Sequence, residues 1–243
     1  MKKTIGILGG MGPEATAYLF ELIIKNTKAE KDQEHIPVII YSNPKVPPRT
    51  DAIFKTAPSP VPYLLEGVRI LQQAGADFIV MPCVTAHYFY PEVAAQDNFP
   101  LLNLLDEALL WVQRQIPSLK KAGLVSSTGT VKSKLFHDIF GGAGIEVIAP
   151  NDGEQAKVMD AIFGKHGIKG GFLEGESKKI IINTAEALIQ RGAEAIIAGC
   201  TEVPLVLKDK DIAVPLVEPL QIIAEACIVK AGYELRYEQD RPC

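Results

Sequence analysis

Short, uniformly apolar runs alternate with amphipathic stretches along this chain. Thr4-Ile5-Gly6-Ile7-Leu8 is apolar nearly throughout and stops at Gly9-Gly10, as a strand buried on both faces would. From Pro13, a favoured first helical residue, Leu19, Leu22 and Ile23 mark a helical stripe. Pro37-Val38-Ile39-Ile40-Tyr41 predicts a second strand. Leu64, Leu65, Val68 and Leu71 share one face of a helix over 62–73, which Gly75 closes. Phe78 to Met81 is again apolar at every position and predicts a third strand. The pattern then recurs, with strands over 123–125, 146–148 and 195–198 and a helix over 176–190 ending before Gly192. Strands alternating with helices predict an α/β fold with doubly wound parallel sheets.

The recurrence has a constant offset. Gly6 and Gly123, Gly12 and Gly129, Gly75 and Gly192, and Cys83 and Cys200 all stand 117 residues apart. Gly75-Ala76-Asp77-Phe78-Ile79-Val80-Met81-Pro82-Cys83 answers Gly192-Ala193-Glu194-Ala195-Ile196-Ile197-Ala198-Gly199-Cys200. Pro100-Leu101-Leu102 and Pro215-Leu216-Val217 follow at an offset of 115. The chain therefore reads as two similar α/β domains related by a pseudo-twofold. The first is expected over 1–100 plus 210–243 and the second over 101–209, with the final helix packed on the first domain.

Composition narrows the function. The 243 residues carry 25 Lys+Arg against 29 Asp+Glu, and a net charge of −4 argues against a nucleic-acid partner. No apolar run reaches the length of a membrane span. The Met1-Lys2-Lys3 start resembles a signal peptide, but Gly9-Gly10 and Gly12-Pro13 break its apolar stretch, so a cytoplasmic location is expected. The four cysteines form no CxxC pair, which argues against a metal site and a redox motif, and a reducing compartment argues against disulfides. Cys227 lies in an apolar helix-like stretch and reads as core, and Cys243 sits in a polar tail expected to be loose. The run Lys208-Asp209-Lys210-Asp211 reads as a solvated loop.

Cys83 and Cys200 differ from these. Each follows a core strand directly, at the carboxyl edge where doubly wound sheets bind ligands, and each is followed by polar residues. Two facing thiols can remove a proton from one side of a carbon acid and return one to the other, which inverts a stereocentre. Helix starts after both cysteines would favour the thiolate. The turns Gly9-Gly10-Met11-Gly12 and Ser126-Ser127-Thr128-Gly129-Thr130 end the matching strands and are candidates to bind a carboxylate through N–H groups and hydroxyls.

Three stretches carry a resemblance: the Met-Gly-Pro turn after the first strand, Met81-Pro82-Cys83-Val84-Thr85-Ala86-His87, and Ala198-Gly199-Cys200-Thr201-Glu202-Val203-Pro204. Together they resemble the aspartate racemase branch of the Asp/Glu racemase superfamily. Glu202 stands where glutamate racemases have His, which favours the aspartate branch. The resemblance implies a two-thiol racemase without cofactor or metal, an active site in the cleft between two similar domains, a dicarboxylic amino acid as substrate, and a homodimer. It assigns catalysis to Cys83 and Cys200, and substrate contacts to Met11, Gly12, Arg49, Val84, Thr85, Thr128, Lys169, Thr201 and Glu202. Arg49 would fork onto the distal carboxylate. Lys165 competes with Lys169 for the family's second-domain lysine, and His87 is read equally as structural or catalytic.

Two departures matter. Val84 replaces the family's usual Asn, and Pro48 stands where Asp is common. Both remove polar groups expected near the substrate. They keep open a dicarboxylate isomerase or decarboxylase on the same fold, and a catalytically weakened ligand-binding homologue. The turn Gly10-Met11-Gly12-Pro13-Glu14-Ala15 also fits a dinucleotide fingerprint, but Tyr41-Ser42-Asn43 lacks the acid that fingerprint needs.

Overall fold

The computed structural model describes residues 2–236. Expectations for Cys243 and for most of the tail fall outside the described residues. The chain forms two compact units. One comprises residues 2–48, 58–104 and 220–236, and the other comprises Arg49–Ala57 and Leu105–Pro219.

In the first unit the strands are β1 (Ile5–Gly9), β2 (Val38–Ser42), β3 (Phe78–Val80) and β4 (Leu101–Leu102), in the parallel order β2-β1-β3-β4. All residues of β1 and β3 are buried, because helices cover both faces of a parallel sheet. α1 (Pro13–Asn26) starts with Pro at its first position, where the missing N–H costs nothing. α2 (Arg49–Ile53) follows β2 in the chain but belongs to the second unit. α3 (Val61–Gln73) is followed by Gly75 at φ +96°, a left-handed turn that glycine adopts without strain. α4 (Tyr90–Gln96) leads to β4.

The second unit repeats this order. Its strands are β5 (Lys121–Val125), β6 (Glu146–Ile148), β7 (Ala195–Ala198) and β8 (Leu216–Val217), arranged β6-β5-β7-β8. α5 (Leu104–Gln115) precedes β5, and α6 (Thr128–Lys132) and α7 (Leu135–Gly142) follow it. α8 (Asp152–Phe163) begins with a capping box between Asn151 and Glu154, and α9 (Glu176–Gln190) closes near Gly192, at φ +92°. α10 (Pro219–Lys230) returns the chain to the first unit, where Ile223, Cys227 and Ile228 are fully buried.

The repeat holds at the level of single contacts. Gly6 pairs with Ile79 and Gly123 with Ile196, both pairs 117 residues apart. A Cβ on Gly6 would lie 2.9 Å from Ala76 Cβ, and one on Gly123 would lie 3.2 Å from Ala193 Cβ and 2.8 Å from Ile196 Cδ1. Thr4 N–H donates to Asp77 Oδ2 at 2.7 Å, and Lys120 N–H donates to Glu194 Oε2 at 2.8 Å.

The unit boundaries differ from the division at 100/101 and 209/210 for a physical reason. β4 hydrogen-bonds to β3, which keeps 101–104 in the first unit, and β8 hydrogen-bonds to β7, which keeps 210–219 in the second. Arg49–Ala57 crosses because α2 packs on α6, where Lys132 Nζ lies 5.8 Å from the Phe54 ring centre. The run at 208–211 is a 3-10 turn in which Asp211 Oδ2 accepts Lys208 N–H, and Asp209 Oδ1 accepts Leu216 N–H. Among the described residues no helix is long and apolar enough to cross a membrane, and no group of three His, Cys, Asp or Glu is placed to hold a metal.

Candidate active site

In the first unit the carboxyl ends of β1 and β3 carry the turn with Met11 and Gly12 and the segment Met81–Thr85. Gly10 has φ +90°, and a Cβ there would lie 2.4 Å from the backbone of Asn43, so only glycine fits. Its N–H donates to Thr16 Oγ1 at 2.9 Å, and that hydroxyl donates to Gly12 C=O at 2.9 Å. One N–H expected to be available to a carboxylate is therefore committed to the turn itself. Thr16→Val leaves the buried Gly10 N–H without that partner, at a cost of about 1–3 kcal/mol. The expected readout is a lower Tm for Thr16→Val, restored by Thr16→Ser.

Cys83 is buried at the end of β3, with its N–H donating to Met81 C=O at 2.9 Å. Val84 and Thr85 beside it are buried too. His87 is structural. Its Nδ1 lies 2.9 Å from Cys83 C=O, and its Nε2 accepts Leu104 N–H at 3.1 Å. This pattern requires a neutral ring protonated on Nδ1. Burial holds its pKa down at about 4, against an ordinary 6.5.

In the second unit Cys200 follows β7 through Gly199, whose absent side chain leaves room for Leu124 Cδ1, 2.3 Å from where a Cβ would sit. Ser126 Oγ donates to Gly199 C=O at 2.6 Å and ties the ends of β5 and β7 together. Cys200 Sγ donates to Glu202 Oε2 at 2.9 Å, and Thr201 Oγ1 donates to the same oxygen at 3.3 Å. Lys169 Nζ donates to Glu202 Oε1 and lies 5.4 Å from the Phe163 ring centre. Glu202 is 2% exposed, so its charge is offset by this ion pair rather than by water. Lys165 is exposed, whereas Lys169 is partly buried at Glu202.

The expected helix dipole behind each cysteine is replaced by short 3-10 turns, Thr85–Phe89 and Val203–Leu205. At Cys200 the outcome is the reverse of the expectation. Burial first, and the Glu202 carboxylate second, push its pKa well above the usual thiol range, with Lys169 opposing.

The Ser126–Thr130 turn is also partly committed. Thr128 N–H donates to Met159 Sδ at 3.1 Å, and Ser127 Oγ accepts Thr130 N–H at 3.4 Å. Gln155 on α8 was missed in the sequence. Its Nε2 donates to Ser126 C=O at 2.9 Å and to Thr128 Oγ1 at 3.3 Å, and its Oε1 is buried with no hydrogen-bond partner among the described residues. With one lone pair of Thr128 engaged by Gln155, the hydroxyl proton remains available to an external acceptor. Arg49 is half-buried at the start of α2, which packs on α6, the helix that Thr128 opens. Arg49, Thr128, Lys169, Cys200, Thr201 and Glu202 thus share the second unit, and Met11, Gly12, Cys83, Val84 and Thr85 share the first.

Known proteins are similar to this chain over nearly its whole length. The broad specificity amino-acid racemase RacX of Bacillus subtilis is 27% identical over 239 residues, covering 93% of this chain and 95% of that protein. The structure of Picrophilus torridus aspartate racemase superposes with a TM-score of 0.83 at 29% identity, covering 96% of each chain. An aspartate racemase homologue from Pyrococcus horikoshii gives a TM-score of 0.77 at 26% identity, over 96% of this chain and 100% of that one. The sequence profile of the Asp/Glu/hydantoin racemase family matches residues 8–227, and the chain belongs to that family.

Proposed function

We propose that this protein is a cofactor-independent amino-acid racemase, with aspartate as its substrate, in which Cys83 and Cys200 exchange protons with opposite faces of the α-carbon. The observation that carries this reading is the placement of the two thiols. Each follows the third strand of its own sheet at the same step of a repeat whose pairing register is otherwise shared. One thiolate takes the α-proton, the charge spreads into the substrate carboxylate, and the other thiol returns its proton on the far side. Proton and charge then stand exchanged between the sulfurs, and no oxidant or reductant is consumed. The developing charge needs donors that stay in place during the reaction. The Thr128 hydroxyl, oriented by Gln155, is suited to that need, while the Arg49 guanidinium is suited to the distal carboxylate.

The test is incubation with L-aspartate in deuterated water. Deuterium at the α-carbon together with D-aspartate is expected. Decarboxylation, or isomerisation without a D-product, would replace racemisation with one of the other reactions open to this fold. Absence of exchange across a panel of amino acids would leave a ligand-binding protein.

Val84 is the specificity probe. Its side chain is buried and cannot hydrogen-bond, whereas an Asn there would offer an amide. An added hydrogen bond to a charged group contributes about 1.5–3 kcal/mol, or roughly 10–100-fold in kcat/KM. Val84→Asn is expected to raise kcat/KM for aspartate by that factor. An unchanged kcat/KM would remove Val84 from the substrate contacts.

A further inference from the structure

The internal repeat makes the two thiols equivalent in position, but their surroundings differ. The residue two after Cys200 is Glu202, and the residue two after Cys83 is Thr85. The residue 117 positions before Lys169 is Ala52. Only the second copy therefore encodes this carboxylate and this ammonium. Cys200 Sγ–H points at Glu202 Oε2 at 2.9 Å, Thr201 Oγ1 donates to the same oxygen, and Lys169 holds the other oxygen. Cys200, Thr201 and Glu202 are all buried. Glu202 accepts from every side and has no donor of its own while ionised.

We propose that Glu202 and Lys169 are positioning residues that set the protonation of Cys200, holding it as the thiol in the enzyme without substrate. This rests on the racemase reading and adds control of the sulfur to the substrate contacts expected of Lys169 and Glu202. The two charges act in opposite directions. The carboxylate beside Sγ disfavours a second negative charge there, and the ammonium beyond it offsets part of that effect. They are the charged groups that act on Cys200 among the described residues. The cationic end is itself held, since Lys169 lies against the Phe163 ring as well as Glu202. Without Lys169 the carboxylate would be buried uncompensated, and without Glu202 the ammonium would favour the thiolate. The pair thus makes a thiol that is costly to ionise yet close to a group that accepts its hydrogen bond.

The experiment is the pH dependence of iodoacetamide alkylation, mapped to single cysteines by peptide mass spectrometry. It is run on the intact protein, on Glu202→Gln and on Lys169→Met. Glu202→Gln is expected to move the Cys200 midpoint down by about one pH unit or more, a tenfold faster reaction at a fixed pH below it. Lys169→Met is expected to move it up. Opposite shifts cannot come from loosening, which would accelerate alkylation in both variants. Cys227, fully buried in α10, serves as the reporter of loosening. An unchanged Cys200 midpoint in Glu202→Gln, shifts of the same sign in both variants, or a Cys200 acceleration matched at Cys227 would each overturn the proposal. Alkylation requires no turnover, so the two readings fail separately. Opposite shifts in a protein that makes no D-aspartate would remove the racemase reading and leave control of the sulfur standing. Normal racemisation with unshifted midpoints would do the converse.

Discussion

Cys83→Ala and Cys200→Ala are each expected to abolish the proposed racemisation of aspartate, in both directions, with a loss of about 10²–10⁴-fold for a positioned acid or base. In a one-base mechanism, one of the two variants would keep appreciable turnover. With two sulfurs on opposite faces, neither can, because inversion needs removal on one side and delivery on the other. The variants still differ in what remains. Each retains one sulfur, so each can exchange the α-proton of only one enantiomer with deuterated solvent, and the two variants prefer opposite enantiomers. Exchange measured on L- and D-aspartate separately checks this. Racemisation that survives either substitution, or the same enantiomer preference in both variants, would remove the two-thiol assignment. Serine substitutions at the same positions keep the volume and hydrogen bonding, but the hydroxyl is far too weak an acid to serve as a thiol does. They are expected to be as inactive as the alanines.

The second large effect is on stability. His87 bridges Cys83 C=O and Leu104 N–H as a neutral ring, with a pKa of about 4 in the folded protein and an ordinary value of 6.5. Its folded pKa is depressed. Between pH 4 and 6.5 the unfolded chain therefore binds a proton that the folded chain refuses. The stability this group contributes is complete above pH 6.5 and is lost as the pH falls toward 4, about 3 kcal/mol in all. Lowering the pH from 7 to 5 should cost about 2 kcal/mol of that, read as a fall in Tm. His137 adds a shift of the same sign, caused mainly by burial. His87→Gln, which keeps a donor and an acceptor without a titrating ring, should flatten the acid slope. An equal slope in His87→Gln would show that the ring does not cause it. His87→Leu removes both bonds, and its Tm should fall at every pH, since each orphaned backbone group costs about 1–3 kcal/mol.

The strands that build both sheets were legible because a parallel strand covered on both faces has no polar side to show. The repeat was legible because Gly6 and Gly123 meet small side chains at the same step of each sheet, so neither can be replaced cheaply. The unit boundaries were not legible to the residue. β4 and β8 have two residues each and carry no periodicity, yet their pairing decides which unit holds the segments around them.

At the candidate site the chemistry-bearing residue types could be read from short motifs, but their partners could not. Gln155 and Met159 reach the Thr128 turn from α8, about one helix away in sequence, with no local signal linking them. The thiolate-favouring dipole expected behind Cys200 fails because only three residues of 3-10 helix follow it, too few for a dipole to outweigh burial and a neighbouring carboxylate. Whether a helix follows for one turn or four depends on tertiary packing, which the Thr-Glu-Val-Pro stretch does not encode by itself.

The first unit is drawn from both ends of the chain, and this bears on how the protein is made. Its opening strand β1 leaves the ribosome early, but α10 leaves it late. Until α10 arrives, Ile223, Cys227 and Ile228 are missing from the interior, Asn26 Nδ2 lacks Gln221 Oε1, and Lys3 N–H lacks Ala231 C=O. The second unit has all four of its strands between Leu105 and Pro219 and already has Arg49–Ala57 behind it. During synthesis it can therefore close first, while the half of the protein that carries Cys83 stays open until α10 is made.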